Sequence, residues 1–228
     1  MGITGDYGRR LSAVVIGFGA TARGAVTALN AQGVHDVSVL TNRDVAAVSS
    51  PIHSARIVQV ARIEHDAVNP GRSSVLTDSG MMPLAPFLAE RDIVVNCVLQ
   101  DPNEPLTYLD EQDVSHLRSG SLIVDVSCDE GMGFSWARPT TFANPTFTVG
   151  DNVTYYAVDH SPSYLWNSAT WVISEALLPY LEDVLNGPQS WTANETVRRA
   201  IEIQDGVIRN AAILTFQDRS ADYPHTVT

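Results

Sequence analysis

Short apolar runs alternate with polar stretches along most of the chain. The segments VVI, IVVN and LIVDV are near-continuous apolar runs, which is typical of strands covered on both faces of a parallel sheet. The pattern predicts six strands, at residues 12–16, 36–40, 55–60, 93–97, 122–126 and 154–158. Six strands joined by crossovers predict an α/β fold with one doubly wound parallel sheet.

Two further segments carry the spacing of amphipathic helices. In residues 20–32 the apolar positions fall on one side, and Gly33 follows as a terminating residue. In residues 163–187 the apolar positions form one stripe. Pro179 lies inside this second helix and predicts a kink, because proline removes a backbone donor and crowds the preceding turn.

Composition narrows the class of protein. Hydrophobic residues make up 44% and charged residues 18% of the 228 residues, an ordinary globular balance. The net charge of -12 argues against a nucleic-acid partner, because its phosphates would be repelled. No apolar run approaches the roughly 20 residues of a membrane helix. MGITGDYGRRL does not resemble a secretory signal, so we expect a cytoplasmic protein without a membrane partner.

The two cysteines, Cys97 and Cys128, fall in predicted strands or at strand ends. Two thiols cannot form a disulfide framework, and buried free thiols in a reducing compartment are the favoured interpretation. A redox or nucleophilic role is the alternative. No metal site is predicted.

The most specific motif is GFGATA, which reads G-x-G-x-x-A. Gly17 permits a tight turn, and Gly19 lets a pyrophosphate approach the backbone. The small Ala22 lets helix and strand pack closely, while Ala20 and Thr21 lie at the helix amino terminus, where N–H groups and the helix dipole favour phosphate. Because a strand precedes the motif and a helix follows it, we expect a Rossmann-type dinucleotide-binding domain. A glycine turn without a ligand is the alternative.

The segment VLTNRD follows the second predicted strand and bears on the choice of cofactor. An Asp or Glu at this point normally binds the ribose 2′-hydroxyl of NAD and would repel the 2′-phosphate of NADP. Here Thr41 and Asn42 are uncharged donors, and the Arg43 guanidinium can bind phosphate oxygens, so the segment favours NADP. Two alternatives stay open: a one-residue shift would give Asp44 the NAD role, and Arg43 could be an exposed loop residue. Arg23 is a weaker second candidate for the phosphate.

These motifs set the expected domain organisation. We expect a leading segment at residues 1–11, a Rossmann-type NADP-binding domain at residues 12–187 and a C-terminal extension at residues 188–228.

A family resemblance is carried by SLIVDVSCDEGMGFSWARPTTF (121–142), PTFTVGDNVTYYAVDHSPSYLWNSATWVISEALLPYL (145–181) and RRAIEIQDGVIRNAAILTFQDR (198–219). With these stretches the chain resembles N5-(carboxyethyl)ornithine synthase, within the wider group of alanine dehydrogenases and saccharopine dehydrogenases. The similarity runs from about Gly5 to Arg219. The DVSCDEGMGF and DHSPSYLWNSATW segments look closer to the ornithine enzyme than to alanine dehydrogenase.

The resemblance implies an oxidoreductase of amino acid metabolism that acts on CH–NH bonds. Members of the group reduce a C=N bond formed between an amine and a 2-oxo acid, or run the reverse oxidation. The ornithine enzyme joins pyruvate to ornithine with NADPH, which agrees with the interpretation of residues 41–43. The expected ligands are therefore NADP, an amino acid and a 2-oxo acid.

The resemblance also implies further cofactor-binding positions. The family's loop after the fourth strand runs along the cofactor and corresponds to Val98, Leu99 and Gln100. The pair after the sixth strand is Asn-Met in alanine dehydrogenases and reads Asp159-His160 here, so contacts made by those side chains can differ.

Two residues are candidates for catalysis. The resemblance aligns Asp129 with an acidic residue that closes towards nicotinamide and substrate in alanine dehydrogenases. Asp125, Asp129, Asp159 and His160 all end or follow predicted strands, at the edge where open α/β sheets bind ligands. His160 could serve as an acid or a base near neutral pH. The alternatives are a helix cap at Asp129 and an ordinary hydrogen-bonding histidine.

The family's amino-terminal domain, which supplies oxo-acid-binding and proton-transfer groups, has no counterpart in this sequence. An excised piece, a subunit completed by another chain and a free-standing domain with another role all stay open. The enzyme interpretation expects a homo-oligomer or a complementing subunit to supply the second wall of the cleft. The alternative is a binding module that holds NADP and regulates or completes a partner.

Overall fold

A computed structural model describes residues 8–41, 52, 54–61, 74–77, 79–100 and 106–227. The chain divides into two compact units, Met1–Asp159 and His160–Thr228. This division differs from the expected boundaries after residues 11 and 187, which stay a prediction.

The first unit contains most of the strands. Its elements in chain order are β1 (Ser12–Ile16), α1 (Ala20–Ala31), β2 (Asp36–Thr41), β3 (Arg56–Ala61), β4 (Ser74–Thr77), β5 (Gly80–Pro83), α2 (Leu84–Ala89), β6 (Ile93–Asn96), β7 (Thr107–Leu109), a 3-10 turn (Asp113–His116), β8 (Leu122–Asp125), β9 (Gly133–Phe134), β10 (Thr146–Val149) and β11 (Val153–Tyr156).

Nine of these strands form one sheet, in the order β10-β11-β8-β6-β1-β2-β3-β4-β5. The six strands from β11 to β3 are the six predicted ones, and all of them run parallel. Their order is that of a doubly wound dinucleotide-binding sheet, with β1 in the middle and the chain winding outwards in both directions. The predicted fold class is confirmed.

Three strands of this sheet were not predicted. β10 pairs antiparallel with β11 at one edge, while β4 and β5 add an antiparallel hairpin beside β3 at the other. Each has only four residues, too few for a clear alternation of apolar and polar positions. β7 and β9 form a separate parallel pair.

Side chains of the central strands alternate between two apolar clusters. Ala13 and Val15 of β1 pack with Val26 of α1 on one face. Val14 and Ile16 pack on the other face, in a cluster that includes residues of α2. Because both faces are covered, the strands read as continuous apolar runs. α1 begins at the predicted residue and ends at Ala31, after which Gly33 adopts a positive φ of 82°.

The second unit is mostly helical. Its elements are a 3-10 turn (Ser161–Leu165), α3 (Trp166–Asn186), α4 (Pro188–Ala193), α5 (Glu195–Arg199), β12 (Ile203–Gln204), β13 (Val207–Ile208) and α6 (Ala211–Phe216). α3 confirms the predicted long helix and contains Pro179, although the kink stays a prediction. None of its residues is buried, and its large apolar side chains are exposed, Leu185 to 76%. In the described part of the chain, no helix combines the length and apolarity needed to cross a membrane.

Candidate functional site

The candidate site lies along the carboxyl ends of the parallel strands in the first unit. β1 is hydrogen-bonded to β2 on one side and to β6 on the other, so the connections after β1 and β6 depart in opposite directions. In open α/β sheets this divergence leaves a crevice outside the strand ends, where ligands bind. Gly17 and the loops after β6, β8 and β11 all come to this edge.

Gly17 forms the turn that leaves β1. Its φ is 118°, a conformation that residues with a Cβ rarely adopt. A Cβ at this position would lie 3.2 Å from the Cys97 carbonyl oxygen and 3.3 Å from a methyl group of Val98. The Gly17 N–H donates to the Leu40 carbonyl oxygen at 2.9 Å, which ties the turn to β2. Glycine is therefore required here by the fold itself.

Gly19 has a different role from Gly17. It is the N-cap residue of α1, with extended backbone and no side-chain cap on the helix. A Cβ at Gly19 would meet no protein atom within 4 Å, so the protein's own packing does not require glycine there. Ala20 and Thr21 are exposed in the first turn, and Ala22 is buried against the sheet. The uncapped amides and the positive helix end fit the pyrophosphate of a dinucleotide.

The residues that bear on the 2′-position of the ribose are only partly described. Thr41 ends β2 and is buried. Asn42 and Arg43 lie outside the described residues, as does Asp44. The guanidinium of Arg23 lies 4.9 Å from the centre of the Phe18 ring, beside the glycine turn.

The loop after β6 contains Val98, Leu99 and Gln100. Leu99 is 91% exposed at the strand edge. The buried Gln100 side chain bonds to the backbone of Leu106, donating from Nε2 at 3.0 Å and accepting at Oε1 at 2.5 Å. The hydroxyl of Ser127 donates to the Val98 carbonyl oxygen at 2.6 Å, so the loops after β6 and β8 are joined. The cofactor contacts assigned to this loop stay a prediction.

Asp125 ends β8 and is the centre of a buried hydrogen-bond network. Its Oδ1 accepts from Asn96 Nδ2 at 2.9 Å and from the Cys128 N–H at 3.1 Å, and its Oδ2 accepts from the Tyr155 hydroxyl at 2.5 Å. Burial raises the pKa of the Asp125 carboxyl above its usual value, and these donors offset only part of that effect. The same burial and the nearby carboxylate raise the pKa of Tyr155, so the phenol stays protonated.

Asp129 and Asp159 bring two further carboxylates to this edge. Both are exposed, and together with Asp125 they surround the buried thiol of Cys128. Burial first, and then the charges of Asp159, Asp125 and Asp129, raise the pKa of this thiol to about 11. Burial likewise raises the pKa of Cys97 to about 12. Both thiols are free, as predicted, and neither has the lowered pKa of a reactive cysteine.

The backbone directly before Asp129 has an unusual conformation at Cys128. Cys128 has a φ of 47°, in the left-handed region, which costs a residue with a Cβ about 1–3 kcal/mol. The following residues form a turn in which the Met132 N–H donates to the Asp129 carbonyl oxygen at 3.2 Å. Among the residues that the structure describes, no helix begins at Asp129, so its carboxylate does not cap a helix.

The other candidate catalytic residue, His160, is the first residue of the second unit. It has a left-handed φ of 59° and begins a 3-10 turn, in which its carbonyl oxygen accepts from the Ser163 N–H at 2.8 Å. Asp159 directly before it donates its N–H to the Thr140 carbonyl oxygen at 3.2 Å. The catalytic assignments of Asp129 and His160 stay predictions.

Sequence reasoning missed Asn96 and Tyr155 as members of the site. Each stands in an apolar strand, and only the pairing of β6 and β11 with β8 brings both to Asp125. Asn96 could have been recognised from the sequence, because a side-chain amide inside an apolar strand is buried and needs a hydrogen-bond partner there.

Comparison with known proteins agrees with this geometry. Residues 5–211 match the family described as "Alanine dehydrogenase/PNT, C-terminal domain". An alanine dehydrogenase from Mycobacterium tuberculosis (strain CDC 1551 / Oshkosh) is 26% identical over 128 residues, which cover 54% of this chain and 34% of that protein. One from Mycolicibacterium smegmatis (strain ATCC 700084 / mc(2)155) is 25% identical over 150 residues, covering 65% of this chain and 39% of that protein.

A solved L-alanine dehydrogenase superposes with a TM-score of 0.68 at 20% identity, covering 94% of this chain and 55% of that one. A transhydrogenase from Sinorhizobium meliloti gives a TM-score of 0.61 at 18% identity, covering 87% and 52%. These likenesses show the fold. The chain spans little more than a third of the curated relatives and about half of the solved structures.

Proposed function

The chain belongs to the alanine dehydrogenase/PNT family through its C-terminal domain, and on that premise we propose that it binds NADPH and forms the cofactor-binding half of an amino acid oxidoreductase. The observation that carries this proposal is the glycine turn. Gly17 is required by the backbone, whereas Gly19 leaves open space in front of an uncapped helix end. Such an arrangement at the point where strand order diverges suits a pyrophosphate.

Residues of this chain would hold the dinucleotide at three places. Gly17 to Ala22 would bind the pyrophosphate, and Thr41 to Arg43 the adenosine ribose. Val98 to Gln100, together with Asp159, would flank the nicotinamide end. When bound, the cofactor supplies a hydride donor or acceptor.

The preference for NADPH rests on the segment Thr41-Asn42-Arg43. It places no carboxylate directly after β2, and Arg43 brings a guanidinium that can bind the 2′-phosphate. The family's alanine dehydrogenase members give no reason by themselves to prefer NADP over NAD. The assignment of NADPH rather than NADH is therefore supported by the sequence of this segment. If Asp44 binds the ribose instead, NADH is the expected cofactor.

The proposed reaction is reductive condensation of an amino acid amine with a 2-oxo acid, as in N5-(carboxyethyl)ornithine synthase. Asp129 would bind the substrate ammonium or stabilise the positive charge of an iminium carbon. It is exposed at the edge where the cofactor is expected, and other carboxylates lie nearby. A second wall, from a homo-oligomer or a complementing domain, would exclude water from this edge.

A second candidate function is that of a binding module, which holds the cofactor and completes a partner without turnover of its own. The glycine turn supports this function as well, because it can hold a dinucleotide whether or not a reaction follows. Alanine or saccharopine dehydrogenase-like oxidation is the alternative within the enzyme class. Following NADPH absorbance with pyruvate and ornithine, and with L-alanine in the oxidative direction, distinguishes the three.

Calorimetric titration with NADPH and NADH tests the cofactor proposal, with three variants. Gly19→Ala is expected to weaken both nucleotides at least tenfold without a loss of thermal stability, because the added methyl meets no protein atom. Gly24→Ala is the matched control in the same helix, since its Cβ also meets open space and the position lies away from the turn. Arg43→Ala should weaken NADPH about tenfold and NADH little, because a charged contact to phosphate contributes roughly 1.5–3 kcal/mol.

Two results would contradict the proposal. Unchanged affinity in Gly19→Ala would remove the glycine turn as the binding site. Equal affinities for the two nucleotides in the unmodified chain would refute the NADPH assignment and favour Asp44 as a ribose ligand.

A further inference from the structure

Asp125 connects three strands of the sheet at the candidate site. It ends β8, and two of its hydrogen-bond donors, Asn96 and Tyr155, belong to β6 and β11, the strands on either side. The backbone N–H groups of Cys128 and Ser127, three and two residues further along the chain, also donate to it. Asp125 is 1% exposed, so these bonds are shielded from water. The segment that leaves β8 is thereby fixed to its neighbours at its first turn.

The partners of Asp125 are unusual for a buried carboxylate. Hydroxyl, amide and backbone donors contact it, and no arginine, lysine or histidine bonds to it among the described residues. A buried carboxylate is normally matched by a cation when its role is stability alone, since an uncompensated charge is costly to bury. Neutral donors with defined directions instead fix geometry.

The geometry that Asp125 fixes is the backbone of Cys128. A cysteine prefers the extended or right-handed region, whereas Cys128 is held at a φ of 47°. The bond from its N–H to Asp125 maintains this conformation, and the bond from Ser127 to Val98 supports it from the other side. Asp129 follows directly, so the direction of its side chain depends on the left-handed turn before it.

We infer that Asp125 is a positioning residue, which holds Cys128 in its left-handed turn and thereby presents the Asp129 carboxylate at the cofactor edge. The claim that Asp129 is positioned for the reaction rests on the proposed function. The claim that Asp125 holds Cys128 in its turn concerns the folded chain alone and does not depend on that function.

The local part is tested by alkylation of Cys128 with iodoacetamide in the 228-residue chain, read by peptide mass spectrometry so that Cys97 is followed separately. We expect Asp125→Ala, which removes the acceptor of the Cys128 N–H, to speed alkylation of Cys128 at least tenfold more than that of Cys97, whose pKa the Asp125 charge also raises. Asp129→Asn controls for charge, because it also removes a carboxylate that raises the pKa of the thiol without freeing the backbone. Asp92→Asn controls for stability, because Asp92 lies at the amino end of β6.

The positioning of Asp129 is tested by a double-mutant cycle in whichever assembly turns over. If Asp125 acts through Asp129, the variant carrying both Asp125→Ala and Asp129→Asn is no slower in kcat than Asp129→Asn alone. Tyr155→Phe provides a milder variant, which keeps the bond to Cys128 and should give a smaller effect. It replaces Asp125→Ala if that variant does not fold.

Each outcome decides the inference. Continued protection of Cys128 in Asp125→Ala, equal acceleration in Asp129→Asn or Asp92→Asn, or additive losses in the cycle would overturn it. If neither nucleotide binds the unmodified chain, the proposed function fails, while the alkylation rates still decide the role of Asp125 at Cys128.

Discussion

Two buried aspartates lie at opposite edges of the same sheet and have no side-chain partner in common. Asp92 precedes β6 at the amino edge, where Arg9 and Arg118 each lie within 2.9 Å of its carboxylate. Asp125 ends β8 at the carboxyl edge, where its partners are neutral donors.

The pKa of each carboxyl reflects these partners. Burial opposes ionisation of Asp92, but the Ser12 N–H and the guanidinium groups of Arg118 and Arg9 outweigh it and lower its pKa. At Asp125 burial prevails and the pKa is raised. The partners of Asp92 at the amino edge thus stabilise its charge, whereas the surroundings of Asp125 at the carboxyl edge disfavour its charge. A pKa shifted by burial, as at Asp125, is common at functional sites.

The largest effect is expected from the amino edge. Asp92→Ala should lower the free energy of unfolding by about 2–4 kcal/mol, because it removes the acceptor of the half-buried Ser12 N–H and breaks both arginine contacts. Urea denaturation measures the loss. Asp36→Asn, which changes an exposed carboxylate at the amino end of β2, is the control and should stay within about 0.5 kcal/mol of the unmodified chain. A loss below about 1 kcal/mol in Asp92→Ala would remove the claimed difference between the two edges.

A smaller effect is expected in how the stability contributed by each aspartate depends on pH. The pKa of Asp92 is lowered on folding, so its stabilisation is present above the unfolded value of about 3.9 and is lost as pH falls below it. The pKa of Asp125 is raised, so the folded chain binds the proton more tightly and stability falls as pH rises from about 3.9 through the folded value.

Urea midpoints measured between pH 3 and pH 7 check both signs. The difference between the unmodified chain and Asp92→Asn should shrink at the acid end. The difference between the unmodified chain and Asp125→Asn should instead favour the unmodified chain more as the solution becomes acidic. Slopes of the same sign in the two comparisons would mean that the edges are electrostatically alike.

The smallest effect on stability is expected at Asp129. Its side chain is exposed, so Asp129→Asn should change the free energy of unfolding by less than about 0.5 kcal/mol. If the proposed role is right, the same substitution lowers kcat/KM in the active assembly and leaves NADPH affinity nearly unchanged. Full activity together with a lower melting temperature would show that the carboxyl edge, like the amino edge, serves the fold.

The parallel strands at the centre of the sheet could be predicted from the sequence, whereas the antiparallel strands at its two edges could not. Val14, Val15 and Ile16 of β1 are all buried, and that burial is visible as continuous hydrophobicity. The hairpin of β4 and β5 has one partly exposed face and four-residue strands, so its pattern is too short to separate from a loop. An edge strand forms because it pairs with a neighbouring strand, and the local sequence pattern does not show which strand that is.

The candidate site divides in the same way. The roles of Gly17 and Gly19 follow from local backbone requirements, which a motif can carry. The network of Asn96, Asp125 and Tyr155 joins residues up to 59 positions apart through strand pairing, so it could be found only with the sheet order known.

The exposed apolar side chains of α3 have a thermodynamic consequence. Trp171 and Leu185 of this helix are 67% and 76% exposed. A molecule that binds the surface of the folded helix, and does not bind the unfolded chain, stabilises the folded state. The melting temperature then becomes a function of that molecule's concentration, with a gain of about 2.7 kcal/mol at a hundredfold excess over Kd. If a second copy of the chain is that molecule, dilution alone lowers the melting temperature.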